Sequence, residues 1–96
     1  MTLSISSFHD SVIETITYNW AAKLAVVTGK LCSENEHKFT LKFIDCEMIN
    51  IPHNAEWGPS SSILGLEKLN DFEYTIMMQS GDSILIRCQR LEFCST

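Results

Sequence analysis

The sequence predicts a mainly β protein, either a single-domain antiparallel β sandwich or a strongly curved meander sheet, with at most one short helix. Short segments in which apolar and polar residues alternate recur along the chain, and turn-forming residues separate them. Hydrophobic residues make up 45% and charged residues 20% of the 96 residues, which is the composition of a globular protein. We therefore expect residues 1–96 to form one domain that folds without a metal or a disulfide.

The first predicted hairpin occupies the N-terminal third of the chain. Residues 12–20 are rich in β-branched and aromatic side chains, and in a regular strand every second residue from Val12 onward would share one face. Residues 23–31 follow as a second strand. The short connection over residues 19–22 predicts a tight turn between the two.

Two further strands are predicted in the middle of the chain. A polar turn over residues 32–37 leads into residues 39–44, where apolar and polar side chains alternate as in a half-buried strand. A short strand over residues 47–51 comes next. Pro52 stops it, because proline has no N–H to donate to a neighbouring strand.

Residues 52–62 are the longest irregular stretch, with two prolines, a glycine and three serines. This composition predicts a surface loop, for which a path along a sheet edge is one placement. Residues 63–69 fit two elements: Ile63, Leu66 and Leu69 have helical spacing, whereas a central glycine and the short length argue against a helix. Strand and helix both stay open for this segment.

The C-terminal third predicts a second hairpin. Apolar residues alternate over 72–78 and over 84–88, and Ser80-Gly81-Asp82 between them has turn chemistry. Beyond residue 88 the alternation slips by one position, and a β-bulge near Gln89-Arg90 would return the apolar residues from Leu91 onward to the core face. The aromatic side chains assigned to the core are Phe39, Phe43, Phe72, Tyr74 and Phe93.

Charge argues against two classes of partner. The formal net charge is −5, and the seven lysines and arginines are scattered among carboxylates. Since phosphate backbones and anionic lipids attract clustered cations, we expect no nucleic acid and no membrane partner. The sequence has neither signal-peptide features nor an apolar run of about 20 residues, so we expect a cytoplasmic protein. In that reducing compartment Cys32, Cys46, Cys88 and Cys94 are expected to be free thiols.

The sequence contains no residue pattern with the spacing of a catalytic, cofactor or metal site. His9 and Asp10 could belong to a metal site only with further ligands, and we expect Asp10 or Ser11 to order the entry into the first strand through side-chain to backbone hydrogen bonds. The cysteines lack zinc-ligand spacing, and the serines at 60–62 lack a G-x-S-x-G setting. We therefore expect no catalytic residues, no metal and no cofactor.

The candidate interaction surface consists of Trp57, Pro59, His53 and Trp20. Trp57 lies in the predicted 52–62 loop, between two prolines that stiffen the backbone. Two interpretations stay open for its indole. It is either a lid over the open end of the core or an exposed anchor for a protein partner.

Three short motifs resemble those of a group of small, poorly characterised bacterial proteins with an N-terminal F-H-D, a central W-G-P-S and a late Q-S-G-D. The motifs are Phe8-His9-Asp10-Ser11, Trp57-Gly58-Pro59-Ser60 and Met78-Gln79-Ser80-Gly81-Asp82. That group is similar in turn to immunity proteins of bacterial polymorphic toxin systems. The resemblance implies no catalytic residues, and it implies an acidic protein that neutralises a toxin by binding it.

These observations favour a non-enzymatic protein-binding module, immunity-like in the sense of the resemblance. Its partner would be another protein or a second copy of the chain. The alternative is a small-ligand-binding β domain, or a weak enzyme whose site is assembled from residues distant in sequence.

Overall fold

A computed structural model describes residues 9–31 and 37–95, and the prediction of a mainly β protein is confirmed. In chain order its strands are β1 (Val12–Asn19), β2 (Leu24–Lys30), β3 (Lys38–Ile44), β4 (Met48–Asn50), β5 (Ile63–Asn70), β6 (Glu73–Met78), β7 (Ser83–Arg87) and β8 (Arg90–Ser95). The described residues form no helix, and hence none that is long and apolar enough to span a membrane. Most of the predicted polar turn over residues 32–37 lies outside the described residues.

The strands form two antiparallel sheets of four strands each. The first sheet has the order β1-β2-β3-β8, and the second has the order β4-β7-β6-β5. The predicted hairpin at residues 19–22 is present as the connection from β1 to β2, and the Ser80-Gly81-Asp82 turn joins β6 to β7. β1 and β8 are therefore the edge strands of the first sheet, and β4 and β5 are those of the second.

The core lies between the sheets, and both contribute side chains to it. The Phe43 ring of the first sheet meets the Tyr74 ring of the second at 63°, with 6.0 Å between ring centroids. Such an edge-to-face pair adds about 1 kcal/mol to the burial of the two rings. The buried apolar residues are Ala25, Val27, Phe39, Leu41, Phe43, Cys46, Ile63, Leu66, Tyr74, Ile76, Met78, Ile84, Ile86 and Cys88.

The assignment of aromatic residues to the core is wrong at Phe72. Its side chain is 47% exposed, because the residue lies in the turn between β5 and β6 instead of in a strand. Its N–H donates to Oδ1 of Asn70 at 2.9 Å, a local bond that closes the turn. Of the other four aromatic residues, three are buried, and Phe93 is half-buried and packs against the core.

The change of alternation after residue 88 marks a change of sheet, so the prediction of a β-bulge there is wrong. β7 belongs to the second sheet and β8 to the first. In the crossing, Gln89 N donates to the carbonyl oxygen of Ile44 in β3 at 3.0 Å. Leu91 and Phe93 pack against the core, as predicted, because each sheet turns its inner face toward the other.

Residues 63–69 form a strand, and two irregularities explain their helical spacing. The pairing of β5 with β6 shifts register at Leu64 and again at Leu69. Each shift adds one residue to β5, so Ile63 and Leu66 both face the core although they are three positions apart. Leu64 and Leu69 are left 43% and 51% exposed.

β1 has a similar irregularity, so its side chains do not share one face as a regular strand would require. The register with β2 shifts between Ile13 and Thr15, which leaves Glu14 as the extra residue. Ile13 and Ile16 consequently both pack against the core.

Candidate functional site

A groove of about 640 Å³ opens between β1 of the first sheet and the loop that leads away from β4. Its floor comes from the second sheet around the turn between β6 and β7. The residues that line it are Ile13, Glu14, Thr15, Ile16, Ile51, Pro52, His53, Pro59, Ser60, Ser61, Met78, Ser80, Asp82 and Ile84. Seven of these residues are apolar and seven are polar, so the walls combine apolar side chains with hydroxyl, carboxylate and imidazole groups.

The groove begins where the loop leaves the edge of β1. At the start of β1, Ile63 N donates to Ser11 O at 2.7 Å and Ile13 N donates to Ser61 O at 2.9 Å. The loop therefore runs along a sheet edge for a few residues, as one predicted placement had it. From Glu14 onward, β2 is the partner of β1 among the described strands, and we call Glu14–Asn19 the open edge.

Asp82 holds the loop that forms the far wall of the groove. Its carboxylate accepts hydrogen bonds from Asn54 N at 2.8 Å, Ala55 N at 3.0 Å and Ser80 Oγ at 2.8 Å. These bonds, first of all the one from Asn54, hold the pKa of Asp82 below its ordinary value because they stabilise the ionised form. Asp82 thus acts as an anchor of the loop, and its lowered pKa makes its carboxylate a weak base.

Trp57 lies beside the groove on the same loop. Its backbone N–H donates to Ser80 O at 2.9 Å, and its side chain is 72% exposed. The indole packs over Gly81, which has φ +94°, and a Cβ placed on that glycine would be 3.0 Å from Trp57 Cδ2. The ring therefore lies on the turn and leaves most of its surface in solvent, which agrees with the anchor interpretation more closely than with a lid over the core.

The structure places two of the four predicted surface residues in the groove. His53 and Pro59 line it, whereas Trp57 is connected to it through the hydrogen bond of its backbone N–H to Ser80. Trp20, which is 85% exposed, lies just beyond the far end of β1 against Tyr18, with 6.4 Å between ring centroids. At about 3.3 Å per residue, it is roughly 13 Å beyond Ile16, the last residue of β1 in the lining.

The three motifs behind the resemblance meet next to the groove. Gln79 Nε2 of the late motif donates to Oδ1 of Asp10 in the first, and Trp57 N of the central motif donates to Ser80 O of the late one. Asp10, which has φ +67°, thereby connects the entry of β1 to the end of β6. Phe8 lies outside the described residues.

Sequence reasoning did not identify Glu14 and Ile51 as site residues. Glu14 is the extra residue of the β1 irregularity, and Ile51 is 45% exposed just after β4. The signal that could have pointed to Ile51 is its position directly before Pro52, where a strand must end. Glu14 carried no such signal, because a single carboxylate in a β-rich segment is ordinary.

Among the described residues, the polar side chains of the groove are those of Glu14, Thr15, His53, Ser60, Ser61, Ser80 and Asp82. The described residues contain no cluster of metal-ligating side chains, and the buried thiols of Cys46 and Cys88 lie in the core. Burial raises the pKa of Cys46, and burial followed by the proximity of Cys46 raises the pKa of Cys88 to about 11. These two thiols and the exposed Cys94 are free, and Cys32 lies outside the described residues.

Comparison of this chain with protein-family models, with curated proteins and with solved structures found no match. The interpretation of the groove therefore depends on its own geometry. That geometry consists of an apolar cleft, an open strand edge on one side, and an anchored loop with an exposed tryptophan on the other.

Proposed function

We propose that the chain is a non-enzymatic, cytoplasmic protein-binding module and that the groove is its contact surface. The observation that carries the proposal is the juxtaposition of the open edge of β1, an apolar cleft and a tryptophan that is 72% exposed on an anchored loop. Exposed tryptophans on preorganised loops are frequent anchors of protein interfaces, because little conformational freedom is lost when they bind.

The polar groups of the groove support binding better than catalysis. Asp82 is occupied by three hydrogen bonds, and Ser60 Oγ accepts a hydrogen bond from Ser62 N at 3.1 Å. A nucleophilic serine needs a base within hydrogen-bonding reach and a group that orients the base. Ser80 Oγ does reach the carboxylate of Asp82, but the lowered pKa of Asp82 makes that carboxylate a weak base. The hydrogen bond of Ser60 comes from a backbone N–H and not from a base.

The charge of the chain supports a basic protein as partner. The net charge is −5, and the lining of the groove includes two carboxylates but no lysine or arginine. Opposite charges speed association and disfavour wrong partners. An immunity-like role, in which the partner is a toxin domain, follows from the motif resemblance and is the specific form of the proposal that we favour.

A small-ligand-binding domain is the second candidate, and the size of the groove favours it. A volume of about 640 Å³ lies within the range of about 300–1,000 Å³ that is usual for small-molecule sites. A ligand site of this kind would also explain the mixture of apolar and polar groups in the walls. A weak enzyme built on that site would be a further form of the same candidate.

Two matched variants test the proposal. Ile51→Lys places a charge on an exposed aliphatic residue of the groove, and Leu69→Lys makes the same change on β5, at residues that are 45% and 51% exposed. Both variants should fold, because neither side chain is buried. Each protein would be used to capture partners from its native host, and every captured protein would then be purified and titrated against wild type and both variants.

A protein that binds wild type and Leu69→Lys but binds Ile51→Lys at least about tenfold more weakly would support the proposal. A partner that is indifferent to both variants would contradict the assignment of the groove. A small molecule that remains bound in native mass spectrometry of wild type, and is lost from Ile51→Lys, would favour the second candidate. A concentration-dependent dimer that Ile51→Lys dissolves would identify the partner as a second copy of the chain.

A further inference from the structure

β1 differs from the other three edge strands in having a long regular stretch without proline, lysine or arginine. Edge strands are commonly blunted by proline, lysine, bulges or short length. β4 has three residues, β5 has two register shifts and Lys68, and β8 has Arg90. β1 is eight residues long and contains no proline, lysine or arginine, and its single register shift lies at Glu14, before the longest regular stretch.

The regular part of this edge has the dimensions of a pairing site. Thr15–Asn19 pairs residue by residue with β2, and at about 3.4 Å per residue it extends over roughly 17 Å. On the other side of these residues, the described chain supplies no strand. Every second residue of an edge strand points its N–H and C=O outward, where an added strand can bond them.

The chain itself shows where an added strand would lie. Ser61–Ile63 occupies the outer side of β1 next to Ser11–Ile13, with hydrogen bonds of 2.7 to 2.9 Å, and then the loop turns away. A strand that continued this line along Thr15–Asn19 would occupy the space where the groove begins. Its alternate side chains would point between the sheets, onto apolar side chains of both walls such as Ile16 and Ile51.

The charge beside this edge indicates one feature of the added strand. Glu14 is exposed at the start of the open edge, and its carboxylate has no ion-pair partner among the described residues. The other carboxylate of the lining, Asp82, is already bonded to the loop. A lysine or arginine on the added strand would therefore find its counterion in Glu14.

We propose that the groove receives an extended, basic segment of a partner protein, which pairs with Thr15–Asn19 as a fifth strand of the first sheet. Apolar side chains at alternate positions enter the groove, and a lysine or arginine of the segment lies beside Glu14. This inference rests on the proposed function, since it specifies how the partner is held. Main-chain hydrogen bonds would supply much of the affinity, and the groove would supply the selectivity.

A random dodecapeptide library displayed on phage tests this binding mode directly, because the selection needs no identified partner. We expect the enriched peptides to alternate apolar residues and to contain lysine or arginine. Each peptide would be synthesised and titrated against wild type, Glu14→Lys and Glu67→Lys, which make the same charge change on exposed residues of β1 and β5. Glu14→Lys should weaken binding about tenfold or more, and Glu67→Lys should change it by less than about twofold.

Backbone N-methylation of the peptide separates strand pairing from contact with the groove alone. Methyl groups on one set of alternate residues should abolish binding, and methyl groups on the other set should be tolerated, because only every second N–H faces β1. Strand pairing would be overturned if both sets of methyl groups had equal effects or if the bound peptides were helical. It would also be overturned if Glu14→Lys had no effect or if the selection enriched no peptide. A dimer that pairs through β1 and that no peptide dissociates would also overturn the proposal of a partner strand. If the captured partner is nevertheless lost in Ile51→Lys, the proposed function stands and only the strand-pairing mode fails.

Discussion

Gly29 fixes the approach of β1 to β2, and its replacement by alanine is the sharpest test of how the wall of the groove is built. A Cβ on Gly29 would be 1.9 Å from the carbonyl oxygen of Val12 and 2.7 Å from Phe39 Cε2. Neither neighbour can give way easily, since one is backbone at the start of β1 and the other is a buried ring. The two strands would have to separate by about 1.5 Å to restore ordinary contact, an overpacking of the kind that costs about 1–3 kcal/mol and at times more.

The 1.9 Å approach calls for the upper end of that cost, about 3 kcal/mol. After allowance for the gain of about 0.5–1 kcal/mol that alanine brings to a strand, we expect Gly29→Ala to lower the free energy of unfolding by about 2 kcal/mol. In urea unfolding followed by circular dichroism, with a slope of about 1–1.5 kcal/mol per molar, the midpoint should fall by about 2 M. Gly65→Ala is the matched control, because a Cβ there meets only the flexible end of Met77 at 3.2 Å. Equal midpoints for the two variants would refute the close approach of β1 to β2.

Three further predictions concern the turn, the loop anchor and the thiols. Gly81→Val should destabilise the protein by about 1–3 kcal/mol in the same urea assay, because φ is +94° and the new side chain would meet Trp57; an unchanged midpoint would contradict this turn geometry. The lowered pKa of Asp82 means that its contribution to stability is complete above about pH 4 and is lost as the pH falls through the pKa of the folded state. The melting temperature of wild type should therefore fall more steeply below about pH 4 than that of Asp82→Asn. Parallel curves of melting temperature against pH would contradict the anchoring role of Asp82. Iodoacetamide on native protein near pH 8, followed by peptide mass spectrometry, should label Cys94 and spare the two buried thiols of the core, whereas rapid labelling of those two would show that the core is open.

The strand pattern could be predicted from the sequence wherever alternation is regular. Residues 39–44 and 72–78 led to β3 and β6, and the turn at Gly81 followed from its local chemistry. The error at Phe72 lies in a turn that continues the alternation of β6. The other errors lie where one residue is inserted or the chain changes sheet. An extra residue at Leu64 gives apolar side chains a spacing of three, which is also the spacing of a helix, and only pairing with β6 distinguishes the two.

The groove could be predicted only in part. Trp57, Pro59 and His53 were identified from loop composition, and His53 and Pro59 line the groove. The opposite wall, with Ile16 and Glu14, depends on the pairing of Ser11–Ile13 with Ser61–Ile63, about 50 residues apart in sequence, and alternation contains no information about such contacts.

Amide hydrogen exchange of the chain, alone and in complex with the captured partner, tests the central claim most directly. Edge-strand amides that face solvent exchange quickly, and pairing with an added strand slows them. We predict slower exchange in Thr15–Asn19 and in the wall formed by residues 51–61 when the partner is bound, with little change in β5 and β8. Unchanged exchange in Thr15–Asn19, together with protection of β8 or β5, would contradict the assignment of the open edge of β1 as the binding site.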